Sequence, residues 1–287
     1  MTRLRMGARG KRDRRIRRAL IAVFLLFLIL SFAIFLLLRT VPTEKKPDRQ
    51  IVRLPIPKVA VEAPRLSPPR LAFIIDDMGY NPDKLREMMA AGRPMTFSIL
   101  PGAPHAREVA LMAHQQGSEV MLHLPMEPKR GEQYSLEKDT VSAGMKPERV
   151  QSILREALKR VPHVRGVNNH MGSRATEDPG VMQTLMENLG KEGLYFIDSQ
   201  TSPHSLGLKT ARRAGVSCGR NDQFIDHEKN LPAIKEAIRT AIKKAKREGK
   251  AVAIGHPHSL TALAIQEMLP EIEKEGIQLV FASEVVG

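Results

Sequence analysis

The chain has 287 residues, a formal net charge of +14 and a single cysteine. Charge of that size ordinarily points to nucleic acid, but its placement argues against such a partner. Residues 1–18 hold nine Lys/Arg and one Asp (+8) and residues 39–70 hold eight Lys/Arg and three acids (+5), which leaves +1 for residues 71–287.

In chain order, the basic leader 1–18 is followed by Ala19 to Leu38, 20 residues without a charge and rich in Leu, Ile and Phe. That matches the roughly 20 residues that carry a helix across a bilayer. The nine basic residues before it place the N-terminus in the cytoplasm by the positive-inside rule. No Ala-x-Ala-like site follows, so an uncleaved anchor is favoured over a signal peptide. The expectation is a single-pass inner-membrane protein with its C-terminal domain in the periplasm. Residues 39–70 contain seven prolines, which reads as an extended stalk. Cys218 cannot form an intrachain disulfide and reads as a small core residue.

From residue 71 the pattern alternates. Apolar runs suited to strands occur at 71–75, 95–100, 118–122, 194–197, 251–254 and 277–281, with weaker ones near 165–168 and 216–218. Helical periodicity lies between them, at 82–91, 104–116, 147–160, 178–192, 230–248 and 259–275. Gly92, Gly117, Gly193 and Gly276 stand where helix C-caps belong. Such alternation implies parallel strands with crossover helices. Seven or eight units suggest a (β/α) barrel over residues 71–287 rather than an open sheet, with closure left undecided.

In a parallel barrel the strand C-termini share one rim, where active sites are built. Asp76, Asp77, His123, His170, Asp198 and His256 all fall at or just after predicted strand ends. Asp76 and Asp77 end the run Leu-Ala-Phe-Ile-Ile; strand alternation would aim them to different sides, one for a cation and one for a proton. Their bland alternative is a pair of caps before the helix at Pro82. His123 sits in a loop stiffened by Pro125 and Pro128, and His170 among Asn168, Asn169 and Gly172. Asp198 suits orienting a histidine, contacting substrate or capping a turn. In Gly-His-Pro-His, His256 and His258 point the same way if extended, and either suits a general acid. Arg174 and Asn221-Asp222 are further orienting candidates. Carboxylates and imidazoles gathered on one rim are the makings of a metal-assisted hydrolase.

The ordered motifs Ile-Ile-Asp-Asp-Met-Gly, Phe-Ser-Ile-Leu-Pro, Met-Leu-His-Leu-Pro-Met-Glu-Pro, Asn-Asn-His-Met-Gly-Ser, Phe-Ile-Asp-Ser and Ile-Gly-His-Pro-His, over residues 70–285, resemble the divergent polysaccharide deacetylase family. That family is a remote relative of the NodB-type carbohydrate esterases. The resemblance implies a deformed (β/α) barrel with a divalent metal, usually zinc, at its rim. It implies that Asp76 is the general base, that Asp77 is a metal ligand and that His256 is the catalytic histidine. The relatives take two more ligands from a His-x3-His motif; here Glu127 follows His123 by four residues, and His170 is the substitute. Their Arg-Pro-Pro-Tyr motif has no clear equivalent; Asn168–Arg174 stands in its place.

The expected function is an envelope-facing, metal-dependent deacetylase. It would bind zinc through Asp77, His123 and His170 and remove acetyl groups from N-acetylated amino sugars or cell-wall glycan. The rival is an inactive deacetylase-like domain that binds envelope polysaccharide or cell-wall enzymes. The absent second motif histidine favours the rival, and so do sparse aromatics: no Trp, and in residues 71–287 three Tyr and five Phe, with Tyr80 and Tyr134 nearest the site.

Overall fold

The computed structural model describes residues 22, 25–37, 67–130 and 139–287 of a chain that divides into two units, residues 1–63 and 64–287. In the first unit, residue 22 and residues 25–37 are helical, and residues 25–37 are exposed. Among the described residues no helix is long and apolar enough to cross a membrane. The leader 1–18, the rest of the predicted anchor 19–38 and stalk residues 39–66 lie outside the described residues, as does Tyr134.

The second unit carries strands β1 (Arg70–Met78), β2 (Thr96–Ile99), β3 (Glu119–Met126), β4 (Val164–Met171), β5 (Tyr195–Asp198), β6 (Cys218–Arg220), β7 (Gln223–Phe224), β8 (Lys250–Gly255) and β9 (Gln278–Val280). Between them lie helices α1 (Pro82–Met89), α2 (Ala106–Gln115), α3 (Pro147–Arg160), α4 (Pro179–Glu192), α5 (Gly207–Arg213), α6 (Leu231–Glu248) and α7 (Ser259–Lys274). Local chemistry sets several boundaries. Asn81, Asp178 and Asn230 cap α1, α4 and α6 by accepting from backbone N–H groups of the first turn, and each of these helices has a proline at its first or second position. The four glycines expected to end helices all have positive φ, from 60° to 77°. The short α5 and β7 left no periodic mark in the sequence.

The strand order is β6-β5-β4-β3-β2-β1-β8-β7, every pairing parallel, with β9 added to the start of β1 at Arg70–Ala72. The two end strands, β6 and β7, are consecutive in sequence. Asn221 N between them donates to Asp198 O at 2.8 Å, and Asp222 N donates to Val252 O at 2.9 Å. The sheet therefore curls into a deformed parallel barrel with segment 218–224 as its seam. Both faces of β1 are buried, which is why its sequence reads as a continuous apolar run. Ala72 and Ile74 join Met121, Tyr195, Ile197 and Ile254 inside the barrel, while Leu71, Phe73 and Ile75 pack under the helices. At the N-terminal end of the barrel the buried Glu119 is satisfied by Thr96 Oγ1 (2.9 Å) and Tyr195 OH (2.7 Å).

Candidate active site

The C-terminal strand ends surround a cavity of about 590 Å3, lined by Asp76, Asp77, His123, His170, Asp226 and His256 among others. β1 delivers the two aspartates in a way that departs from the expected alternation. The β1–β2 register shifts between Ile75 and Met78, and Asp77 has φ 54°. This break in the strand turns both carboxylates into one cavity: His123 Nε2 is 3.2 Å from Asp77 Oδ1 and 3.7 Å from Asp76 Oδ2. Met171, the last residue of β4, and Gln200, just after β5, share the left-handed backbone with φ 54° and 57°. Such strain costs on the order of 1–3 kcal/mol per residue and gathers at functional sites. Asn169 Nδ2 and Thr201 Oγ1 both donate to Met171 O, which helps to hold that turn. Gly172, with φ 92°, lies where a Cβ would come within 2.9 Å of Met126 Cβ.

Three ligand-type atoms converge. Asp77 Oδ1, His123 Nε2 and His170 Nδ1 lie 3.0 to 3.2 Å from one another. Asp77 Oδ1 is buried and receives no well-directed hydrogen bond from the described residues. His123 Nδ1 donates to Asn168 Oδ1 at 2.7 Å, which leaves the Nε2 lone pair for the cluster. A buried, unsatisfied carboxylate oxygen beside two imidazole nitrogens fits a divalent cation, and one carboxylate with two histidines is a donor set that suits zinc. Burial would raise the Asp77 carboxyl, but the His123 and His170 rings beside it hold it far below the usual carboxylate range.

Asp76 is 3 % exposed and accepts from Asn168 Nδ2 at 2.8 Å. Burial is the largest influence on it and pushes its pKa up, against the opposing charges of His123 and His256. Just after β8, the strand paired with β1, His256 Nδ1 lies 2.9 Å from Asp226 Oδ1, and its backbone N donates to Asp226 Oδ2 at 2.6 Å. Burial depresses the imidazole, but the Asp226 carboxylate outweighs it and the pKa is pushed up to about 9. The site thus holds a buried carboxylate 3.7 Å from His123 Nε2 and an imidazole of raised pKa whose Nε2 lies 3.9 Å from Asp77 Oδ2.

Other sequence candidates lie elsewhere. Asp198 accepts from Gln200 N (2.8 Å) and Ser205 Oγ (2.6 Å) and closes a turn; the carboxylate that orients a histidine is Asp226. Arg174 pairs with Glu127 at 2.9 Å and does not line the cavity, and Glu127 also accepts from Ala143 N, so it is drawn away from the cluster. Tyr80 is 58 % exposed and lines a separate hollow with Pro101 and Arg160. The exposed His258 precedes α7, with its ring centroid 6.1 Å from that of His256. Asp222 is tied to Lys244 and to Val252 N. Sequence reasoning missed Asp226, although Phe224-Ile225-Asp226 repeats the apolar-then-acid pattern of β1. It also missed the buried Asn168.

A family model for divergent polysaccharide deacetylases matches residues 73–286. The chain belongs to the divergent polysaccharide deacetylase family. It is 37 % identical over 218 residues to the Escherichia coli (strain K12) protein YibQ, covering 76 % of this chain and 67 % of YibQ. A Haemophilus influenzae protein is 35 % identical over 211 residues, 74 % of each chain. A crystal structure of an Agrobacterium tumefaciens C58 protein shares the fold, with a TM-score of 0.73 at 23 % identity, covering 76 % of this chain and 89 % of that one. Family membership agrees with the motifs of β1, β3, β4 and β8 that first indicated it.

Proposed function

We propose that the chain is a metal-dependent deacetylase that hydrolyses N-acetyl groups on envelope glycan. In this reading residues 19–38 hold it in the inner membrane and residues 71–287 face the periplasm. The convergence of Asp77 Oδ1, His123 Nε2 and His170 Nδ1 within 3.2 Å, with Asp76 and His256 lining the same cavity, is the observation that carries the reading. A divalent cation held by these three atoms would supply Lewis acidity toward a water and an acyl oxygen.

The chain's own residues do the rest. Asp76, buried and raised in pKa, accepts the proton of the attacking water. His256, protonated at neutral pH, gives its Nε2 proton to the leaving amine nitrogen, and Asp226 holds the ring in place through Nδ1. Ser199 Oγ, buried in the cavity wall with no hydrogen-bond partner among the described residues, is available to a polar group of the substrate.

The experiment is acetate release from N-acetylated amino sugars and peptidoglycan fragments by the zinc-loaded full-length protein. Release overturns the rival, an inactive envelope-binding domain. No release across the panel, with envelope material still bound, establishes that rival. One observation favours it: Phe224 is the only Phe, Tyr or Trp lining the cavity among the described residues.

A further inference from the structure

Asn168 is the fourth residue from the end of the parallel strand β4 and is fully buried. Its carboxamide spends both ends on groups of the site. Oδ1 accepts from His123 Nδ1 at 2.7 Å and from Ser98 Oγ at 2.6 Å, and Nδ2 donates to Asp76 Oδ1 at 2.8 Å. Ser98 on β2 and Asn168 on β4 flank β3, which carries His123. The carboxamide thus ties together β1, β2, β3 and β4. All four side chains are at most 4 % exposed, so water does not compete for these bonds.

With Asp76 ionised, the partners of the amide set its orientation. Rotating it by half a turn would set its oxygen against Asp76 Oδ1 and its NH2 against His123. With the oxygen toward His123, only an Nδ1–H imidazole satisfies the contact. In the neutral ring Nε2 then carries the lone pair, and it faces Asp77 and His170. Asp76, held through Oδ1, keeps Oδ2 as the oxygen toward the cluster, 3.7 Å from His123 Nε2.

We propose that Asn168, braced by Ser98, is a positioning residue that sets the metal ligand His123 and the base Asp76 as one unit. One end of a single neutral amide fixes the ligand's tautomer, and the other selects which oxygen of Asp76 is free. Groups behind a metal-ligating histidine typically change metal affinity by 10- to 100-fold when removed. The part concerning Asp76 rests on the deacetylase reading; the part concerning His123 does not.

Two readouts on the full-length protein test it. The first uses wild type loaded with zinc. Imidazole 15N shifts, with His123 assigned by its loss in His123→Gln, should show the proton on Nδ1; a proton on Nε2 overturns the proposal without any variant at Asn168. The second compares Asn168→Ala with Asn168→Asp by chelator competition for zinc and by kcat and KM for acetate release. Asn168→Ala should bind zinc about 10- to 100-fold more weakly. Asn168→Asp keeps an oxygen for His123 and should recover zinc affinity to within a few-fold of wild type. It loses the N–H toward Asp76, so kcat should stay down by about 100-fold or more with KM little changed. Wild-type zinc affinity in Asn168→Ala overturns the link to His123. Full turnover in zinc-loaded Asn168→Asp overturns the link to Asp76 and leaves the deacetylase reading standing. A wild type that releases no acetate defeats the deacetylase reading, while the tautomer and zinc readouts still decide the role of Asn168 at His123.

Discussion

Asp226 grips His256 twice, by the ring nitrogen Nδ1 at 2.9 Å and by the backbone N at 2.6 Å, and Thr261 Oγ1 donates to the same carboxylate at 2.8 Å. The carboxylate fixes the ring and favours its protonated form. His256, raised to about 9, keeps its proton below that pH and loses it above. Acetate release that needs this proton should therefore fall on the alkaline side near pH 9. In Asp226→Asn the favouring charge is gone while burial still opposes protonation, so the alkaline limb should move to lower pH. A pH–rate profile whose alkaline limb is the same in Asp226→Asn and wild type would contradict the role of His256 as acid.

Metal content separates the cluster from its surroundings. Full-length protein saturated with zinc and desalted should carry about one divalent ion per chain, as a site with three protein ligands does. Ala in place of Asp77, His123 or His170 should sharply lower that figure. Glu127→Ala should not, because Glu127 is engaged by Arg174 and Ala143 N. Elemental analysis checks both; unchanged metal in all three ligand variants would sink the assignment.

The strand-and-helix alternation and the family motifs were legible because apolar period, caps and glycine stops are local signals. Asp76, Asp77, His123 and His256 were legible because they follow apolar runs, and His170, after Gly-Val-Asn-Asn, was legible only from its place at a predicted strand end. The shared orientation of Asp76 and Asp77 was not, since it depends on a positive φ at Asp77, and a non-glycine residue gives no sign of that backbone. Asp198 and Asp226 both follow Phe-Ile, and only the seam between β6 and β7 decides which of them meets His256. Asn168 reads as an ordinary polar residue until three strands bring Ser98, His123 and Asp76 to its carboxamide.

Asp76 lines the metal cavity without belonging to the three converging atoms. Asp76→Asn should keep zinc and fold yet lose acetate release by on the order of 100- to 10,000-fold, the usual weight of a general base. Full activity in Asp76→Asn would refute the base assignment. Loss of zinc along with activity would make Asp76 a ligand instead.

The charge-free run 19–38 behind nine basic residues predicts an N-in anchor with the C-terminal domain in the periplasm. A periplasm-active reporter fused after Gly287 should be active and a cytoplasm-active one silent. Activity from the cytoplasmic reporter alone would overturn the periplasmic placement. A mature form beginning after Leu38 would overturn the anchor.

Stability offers a test that needs no substrate. Asp178 caps α4 through Gly180 N (2.9 Å) and Val181 N (3.0 Å), and its other oxygen accepts from Gly144 N at 2.8 Å. The Val181 amide bond is the largest influence on the carboxyl and holds its pKa below the ordinary value, with burial opposing. A carboxyl depressed on folding stabilises fully above its unfolded pKa, near 3.9, and loses that contribution as pH falls through the folded value. Asp178→Ala should cost roughly 1 kcal/mol at neutral pH, typical of a lost N-cap. The gap between variant and wild type should narrow below about pH 4, as protonation removes the wild type's advantage. Denaturant titrations of both proteins at pH 7 and at pH 3 measure this. A gap that is constant with pH would mean that the loss comes from packing and not from the charged cap.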